Sequence, residues 1–267
     1  GYPDYLSGVS LGRVAYETFP LTAENDFLPD LDAIPEETAR RAKFIYINYP
    51  NNPTGAVATK AFYEKLVAWA KTYEVGVVSD LAYGALGYQG YENPSFLSTP
   101  GAKDVGIEFY TFSKTFNMAG WRLAFAAGNE QMIEALNLIQ DHLFVGIFPA
   151  LQEAGIAALL DPKSEEAVAQ LNATYDSRRD AFVQAAAKIG WQAFPSRGSF
   201  YAWMPVPEGY TSESFADLLL EEAHVAVAPG KRFGPAGDAY VRIGLLVEPE
   251  RLVEAVNRIA SLQLFNN

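Results

Sequence analysis

The chain contains no cysteine. Disulfide staples, thiolate nucleophiles and zinc–thiolate cages are therefore excluded. Histidine is nearly absent: His142 and His224 are the only two among 267 residues. They are too few and too far apart in sequence for a metal cage, so each reads as a structural or surface residue. Positive charge is also short. Lys and Arg number 20 against 32 Asp and Glu, for a net charge of −12. A nucleic-acid surface needs clustered cations to displace counterions, and an anionic membrane asks for the same, so neither is an expected partner. No apolar run reaches the roughly 20 residues of a membrane span. The longest candidate, Leu143 to Leu160, is broken by Pro149, Gln152 and Glu153. No signal peptide stands at the start, which is Gly1 rather than Met, and the expected location is cytoplasmic.

What the chain does have is apolar mass, 49% hydrophobic and 13% aromatic, enough for a sizeable soluble core. Strand-like and helix-like patterns alternate. Phe44–Ile47, Val75–Ser79, Ile107–Phe112 and Leu123–Ala127 read as strands, and the continuous apolar run of the second suits a parallel sheet covered on both faces. Thr59–Tyr73 has Phe62, Leu66, Trp69 and Ala70 on one helical stripe. Met132–Leu143 and Ala150–Leu160 also read as helices. This order predicts an α/β domain with right-handed crossovers. Asp161-Pro162 punctuates the chain. Beyond it, Ser164–Ile189 reads as a long helix capped by Ser164, followed by strands at Gln192–Phe194, Phe200–Pro205, Val225–Ala228 and Tyr240–Leu246 and helices at Thr211–Glu222 and Glu248–Leu262. The expected division is a large domain over 1–160 and a smaller α+β domain over 161–267.

Three segments carry chemistry. Thr111-Phe112-Ser113-Lys114 leads on to Arg122. Hydroxyls and a guanidinium are what a phosphate needs, and a lysine beside them can act as an amine nucleophile on a carbonyl carbon. That combination points to pyridoxal 5'-phosphate (PLP). A single lysine is usually solvated surface charge, so the case rests on the other two segments. Tyr49-Pro50-Asn51-Asn52-Pro53-Thr54-Gly55 follows the first strand and is first of all a turn signal. Asp80 and Tyr83 close the second strand, Asp80 following Asn52 by 28 residues. An acid there lies where open α/β sheets bind ligands and can pair with a protonated pyridine nitrogen, although turns and caps also use Asp. Far downstream, Arg242 sits mid-strand in Tyr240-Val241-Arg242-Ile243-Gly244, where an unpaired guanidinium is costly. A ligand carboxylate is its natural partner.

Taken together, Asn52, Asp80, Tyr83, Lys114, Arg122 and Arg242 resemble the ordered set of fold-type-I, class I/II PLP-dependent aminotransferases, and the resemblance runs along the whole chain. It implies α/β architecture of PLP-dependent transferase fold type I, with a large α/β domain and a small C-terminal α+β domain. Lys114 is then the catalytic residue that bonds the cofactor. Tyr2, Asn52, Asp80, Tyr83, Thr111, Ser113, Lys114 and Arg122 are expected to bind the cofactor, and Asn52 and Arg242 the substrate. Thr111 stands where the family often has serine, and Tyr2 matches the aromatic that stacks on the pyridine ring. The loops Arg197–Tyr201 and Pro229–Gly234 resemble those around the family's substrate. The expected partners are a small-molecule amino acid, a 2-oxo acid and a second copy in a homodimer, with no metal. Relative to the family, the upstream arm and the glycine-containing phosphate loop are missing. That leads to the expectation of an N-terminally incomplete large domain and weak PLP binding by residues 1–267 alone.

Within the family, the runs Gly1–Gly8, Asn48–Thr59, Gln140–His142 and Gly209–Ser212 most resemble methionine-salvage aminotransferases, which convert 4-methylsulfanyl-2-oxobutanoate to methionine with glutamine as a donor. LL-diaminopimelate aminotransferases are similar around Lys114. A PLP β-lyase shares the cofactor residues, and a non-catalytic effector module of the same fold is the reading from outside enzymology. The arginine-free stretch Phe144–Phe148 is expected either to favour apolar side chains in the substrate or to pack in the core.

Overall fold

A computed structural model describes residue 2 and residues 4–265. Gly1 and Pro3 of the opening aromatic run lie outside the described residues. In chain order the helices and strands are α1 (Asp4–Leu11), α2 (Glu36–Arg41), β1 (Phe44–Asn48), α3 (Lys60–Tyr73), β2 (Gly76–Asp80), α4 (Ala102–Val105), β3 (Gly106–Thr111), α5 (Phe112–Thr115), β4 (Ala124–Gly128), α6 (Glu130–Leu143), α7 (Pro149–Leu160), α8 (Ser164–Lys188), β5 (Tyr201–Pro205), α9 (Ser212–Glu222), β6 (Ala228–Pro229), β7 (Tyr240–Gly244) and α10 (Pro249–Ala260). Packing divides the chain into two compact units. One comprises Asp30–Pro50 and Val57–Asn172, and the other the described residues of Gly1–Pro29, Asn51–Ala56 and Ala173–Asn267. The division thus falls within α8, and two short upstream segments group with the C-terminal part.

The first unit is built on a four-stranded sheet in the order β1-β2-β3-β4. β1, β2 and β3 run parallel, as expected for strands separated by crossovers. β4 runs antiparallel to β3. The connection between them contains only the single turn of α5 and one 3₁₀ turn at Ala119–Trp121, which does not amount to a crossover helix. α3 starts at a capping Thr59, whose Oγ1 accepts the Phe62 amide at 3.1 Å. It buries Phe62, Tyr63, Leu66, Val67 and Ala70. Trp69, expected on that stripe, instead packs on Tyr73 at a ring distance of 5.3 Å.

The second unit carries a three-stranded antiparallel sheet in the order β5-β7-β6. Its inner face, Ala202, Met204, Val241 and Ile243, joins Phe182, Trp191, Phe215, Leu219, Leu252, Val256 and Ile259 in one core. Three expectations for the chain beyond Asp161-Pro162 fail. Gln192–Phe194 forms no strand, and its Phe194 amide reaches only the Trp203 carbonyl, at 3.2 Å. The strand expected at Val225–Ala228 shrinks to Ala228–Pro229: only these two residues pair with β7, and the Val225 amide turns back to the Leu219 carbonyl at 2.9 Å. Ser164 is the first residue of α8 rather than a residue capping it from outside, and its hydroxyl donates to the Ala158 carbonyl at 2.6 Å.

Candidate active site

In the first unit, β2 delivers Asp80 to the C-terminal end of the parallel strands, in register with Asn48 and Phe109. The turn that follows is pinned on both sides. Asn48, buried, donates its amide to the Asp80 carbonyl at 3.0 Å, and the Leu81 amide donates to the Phe109 carbonyl at 2.9 Å. The Asp80 carboxylate accepts the Ala82 amide at 3.0 Å. Tyr83, buried, lies one residue further on. Strand alternation puts Ser79 on the opposite sheet face from Asp80. There Glu108, also buried, accepts hydrogen bonds from the Ser79 hydroxyl at 2.9 Å, the Phe96 amide at 2.8 Å and the Ser95 hydroxyl. This carboxylate ties the 95–96 turn to the sheet behind Asp80.

β3 runs directly into the lysine segment. Thr111 caps α5 by accepting the Ser113 amide at 3.2 Å, and its Oγ1 lies 2.9 Å from the Ser113 hydroxyl. Lys114, half-buried, follows in that turn. Beside it, the Tyr110 hydroxyl donates to Thr115 Oγ1 at 2.7 Å, and burial raises the Tyr110 phenol above its ordinary range, keeping it a neutral donor. Arg122 ends the next turn with φ of 54° and donates Nη1 to the Ala119 carbonyl at 3.1 Å. Among the described residues no carboxylate pairs with Arg122. Two hydroxyls, a guanidinium without an acid partner, a lysine and a strand-end carboxylate therefore share one unit. That donor set fits a phosphorylated pyridine aldehyde: the guanidinium and hydroxyls suit the phosphate, the acid the ring nitrogen and the amine the aldehyde.

The second unit holds the remaining predicted residues. Asn52, 3% exposed, stands in a turn closed by the Gly55 amide on the Asn51 carbonyl at 2.8 Å and by Thr54 Oγ1 on Asn51 Oδ1 at 2.8 Å. Gly55 has φ of 71°, and a Cβ there would come within 2.0 Å of the Ser196 hydroxyl, so the turn admits no larger residue. Arg242 lies on β7, the central strand, and donates Nη1 to Asn52 Oδ1 at 2.7 Å. Its guanidinium carbon sits over the Tyr201 ring at 4.1 Å and the Phe233 ring at 4.6 Å. Among the described residues no carboxylate pairs with it. Tyr2 meets Tyr5 edge-on at 5.9 Å within the same unit.

Residues 1–259 match the family Aminotransferase class I and II. The chain belongs to that family. It is 56% identical over 265 residues to the L-glutamine–4-(methylsulfanyl)-2-oxobutanoate aminotransferase of Bacillus subtilis, covering 99% of this chain and 66% of the relative. It is 48% identical over 259 residues to the LL-diaminopimelate aminotransferase of Moorella thermoacetica, covering 97% of this chain and 66% of the relative. The apo structure of BacF from Bacillus subtilis superposes with a TM-score of 0.95 at 46% identity, covering 100% of this chain and 68% of that one. The chain thus spans somewhat less than two thirds of the length of both relatives. Its fold is that of the fold-type-I aminotransferases, a family that depends on PLP.

The motif reading gave no role to four residues that the geometry makes prominent. Asn48 and Glu108 hold the two faces of the sheet around Asp80, and Tyr201 and Phe233 flank Arg242, whereas the sequence offered Tyr201 and Phe233 only as members of glycine loops. Strand alternation was the available signal for Tyr201, which lies on the same sheet face as Arg242. The exposed apolar stretch is a correction of a different kind. Phe144, Val145 and Phe148 are 70%, 85% and 69% exposed, so the segment does not pack in a core.

Proposed function

We propose that this protein is a PLP-dependent aminotransferase that moves an amino group between an L-amino acid and a 2-oxo acid, with glutamine and 4-methylsulfanyl-2-oxobutanoate as the pair. The observation that carries the reading is Arg242: a guanidinium fixed by Asn52, flanked by two rings and, among the described residues, paired with no carboxylate, in a chain whose other unit gathers Asp80, Lys114, Thr111, Ser113 and Arg122. The relative that acts on this pair is 56% identical, which supports the substrate choice.

When bound, PLP supplies an electron sink for the electrons released as a bond to the substrate Cα breaks. Asp80 would keep the ring nitrogen protonated by accepting its hydrogen bond, and its turn is already fixed by Asn48 and Ala82. Thr111, Ser113 and Arg122 would hold the phosphate. Tyr83 and Asn52 would donate to the ring's phenolic oxygen, and Tyr2 is assigned to the ring face. The Lys114 amine would hold the cofactor through its aldehyde carbon and would serve as the general base that takes the proton from the substrate Cα. Arg242 with Asn52 would orient the α-carboxylate, the alignment on which Cα–H cleavage depends. We assign the cofactor to a large domain over 1–160 and place the small domain at 161–267, with a cytoplasmic homodimer as the working assembly. The LL-diaminopimelate reading is favoured by the 48% identical relative.

The test is product analysis on the holoenzyme with glutamine, methionine or LL-diaminopimelate offered against matching 2-oxo acids. Amino-group exchange, fastest with the methionine pair, is the expected result. Release of pyruvate and ammonia would overturn transamination in favour of β-elimination, and a preference for LL-diaminopimelate would overturn the substrate.

A further inference from the structure

Arg242 has five N–H donors in a planar fork. Asn52 Oδ1 takes one of them, and among the described residues no other protein acceptor takes the rest. A flexible arginine in such a position would swing and collect water. Here two aromatic rings occupy its flanks, at 4.1 Å and 4.6 Å from the guanidinium carbon.

The fold places both rings deliberately. Tyr201 opens β5 opposite Gly244 of β7, so no side chain faces it across the ladder. Its ring leans diagonally onto Arg242, two residues back on the same face. Phe233 ends the 3₁₀ turn Gly230–Phe233, and its ring meets the edge of Trp203 at 6.1 Å and 83°. Trp203 is itself the cross-strand partner of Arg242 and is stacked on Tyr240 at 5.1 Å and 15°. Gly230 admits no Cβ, which would fall 2.2 Å from the Gly237 carbonyl and 2.7 Å from Trp203. The turn is therefore locked against the face that carries Arg242.

We infer that Tyr201 and Phe233 are positioning residues for the substrate carboxylate: they hold the Arg242 guanidinium in one plane and keep water from its flanks, so that its free N–H edge is presented ready-oriented to a planar carboxylate. This rests on the reading of Arg242 as the carboxylate clamp. It explains why a lysine would not serve here, because a point charge has no plane to hold. The rings act equally on every carboxylate the clamp takes, amino acid or 2-oxo acid. They contribute uniform binding and not a transition-state contact, which shows in KM and not in kcat.

The experiment compares wild type, Tyr201→Leu, Phe233→Leu, Tyr201→Phe and Arg242→Ala as holoenzymes. The readouts are KM and kcat for L-glutamine and for 4-methylsulfanyl-2-oxobutanoate, and calorimetric binding of 4-methylsulfanylbutanoate, which has the carboxylate but no amino group to react. The leucine variants should raise both KM values and the Kd by about five- to thirty-fold, the range expected for one desolvated cation–π contact, with kcat changed by less than about two-fold. Tyr201→Phe keeps the ring face and should restore most of the affinity. A loss of kcat at unchanged KM and Kd, or a Tyr201→Phe variant as impaired as Tyr201→Leu, would overturn the positioning role. Arg242→Ala separates the two levels. If it leaves KM and Kd unchanged, the clamp reading itself fails; if it raises them while the ring variants do not, only the inference about the rings fails.

Discussion

Arg242 and Lys114 respond differently to conservative substitution because one works by shape and the other by bond formation. Arg242→Lys keeps the charge but loses the fork, the hydrogen bond to Asn52 Oδ1 and the fit over two rings. We predict a loss of amino-acid affinity on the order of 2–4 kcal/mol with the cofactor still bound, read as kcat/KM beside the cofactor's absorbance; an unchanged kcat/KM would refute the clamp. Lys114→Ala should abolish the covalent cofactor adduct, which borohydride reduction and peptide mapping would show, and a label found on Lys60 or Lys231 instead would move the assignment. The residues of the site also differed in how legible they were. Arg242 stood out in the sequence because a guanidinium inside an apolar strand is costly without a partner, and Lys114 and Asp80 because a lysine among hydroxyls and an acid at a strand end fell into one ordered set with it. Asn48, Tyr201 and Phe233 are ordinary residues in ordinary strands and turns, and only the ladder that sets Tyr201 opposite Gly244 gives the tyrosine a role.

At the scale of elements, local chemistry made some boundaries readable and tertiary pairing overrode others. The helix from Thr59 was legible because its cap and its apolar stripe are both local, and the structure returns Lys60–Tyr73 behind a Thr59 cap. Thr59→Ala should therefore cost about 1 kcal/mol of stability, measured by denaturant unfolding, and a midpoint shift within error would show the cap to be idle. The direction of β4 and the two-residue length of β6 were not legible, since both depend on which strand a segment meets and over how many residues the two stay paired. The start of α9 supplies a test in pH. Ser212 donates its hydroxyl to Asp238 Oδ1 at 2.7 Å and its amide to the same oxygen at 3.2 Å. These bonds, led by the hydroxyl and aided by Lys231, hold the Asp238 carboxyl below its ordinary range. The folded-state value lies below the unfolded one, so this stabilisation is present above the ordinary aspartate range and is lost as pH falls through the lowered value. Asp238→Asn should remove that part of the acid sensitivity, so the gap between variant and wild-type melting temperatures should narrow on acidification. A gap that stays constant down to strongly acidic pH would contradict the assignment.

For the molecule as a whole, the decisive contrast is between its net charge of −12 and the apolar side chains it exposes. Like-charged copies repel, although at physiological salt that repulsion is screened beyond about 8 Å. Only an apolar contact of substantial area overcomes it, on the order of 800 Å² per partner in a stable interface. The first unit offers such material on α6 and the segment after it: Leu138, Ile139, Leu143, Phe144, Val145 and Phe148 are all exposed. A run of this kind is unusual on a surface that meets only water. The proposed homodimer would bury it, and that assembly has consequences beyond mass. Dimerisation should strengthen with added salt, because screening removes the charge repulsion while leaving the apolar term intact. Phe144→Glu combined with Phe148→Glu should yield a monomer, since each carboxylate would have to be desolvated without a partner in the closed interface. Sedimentation velocity over a range of concentration and ionic strength checks both points. A wild-type protein that stays monomeric at every concentration, or a double variant that still dimerises, would remove this segment from the interface.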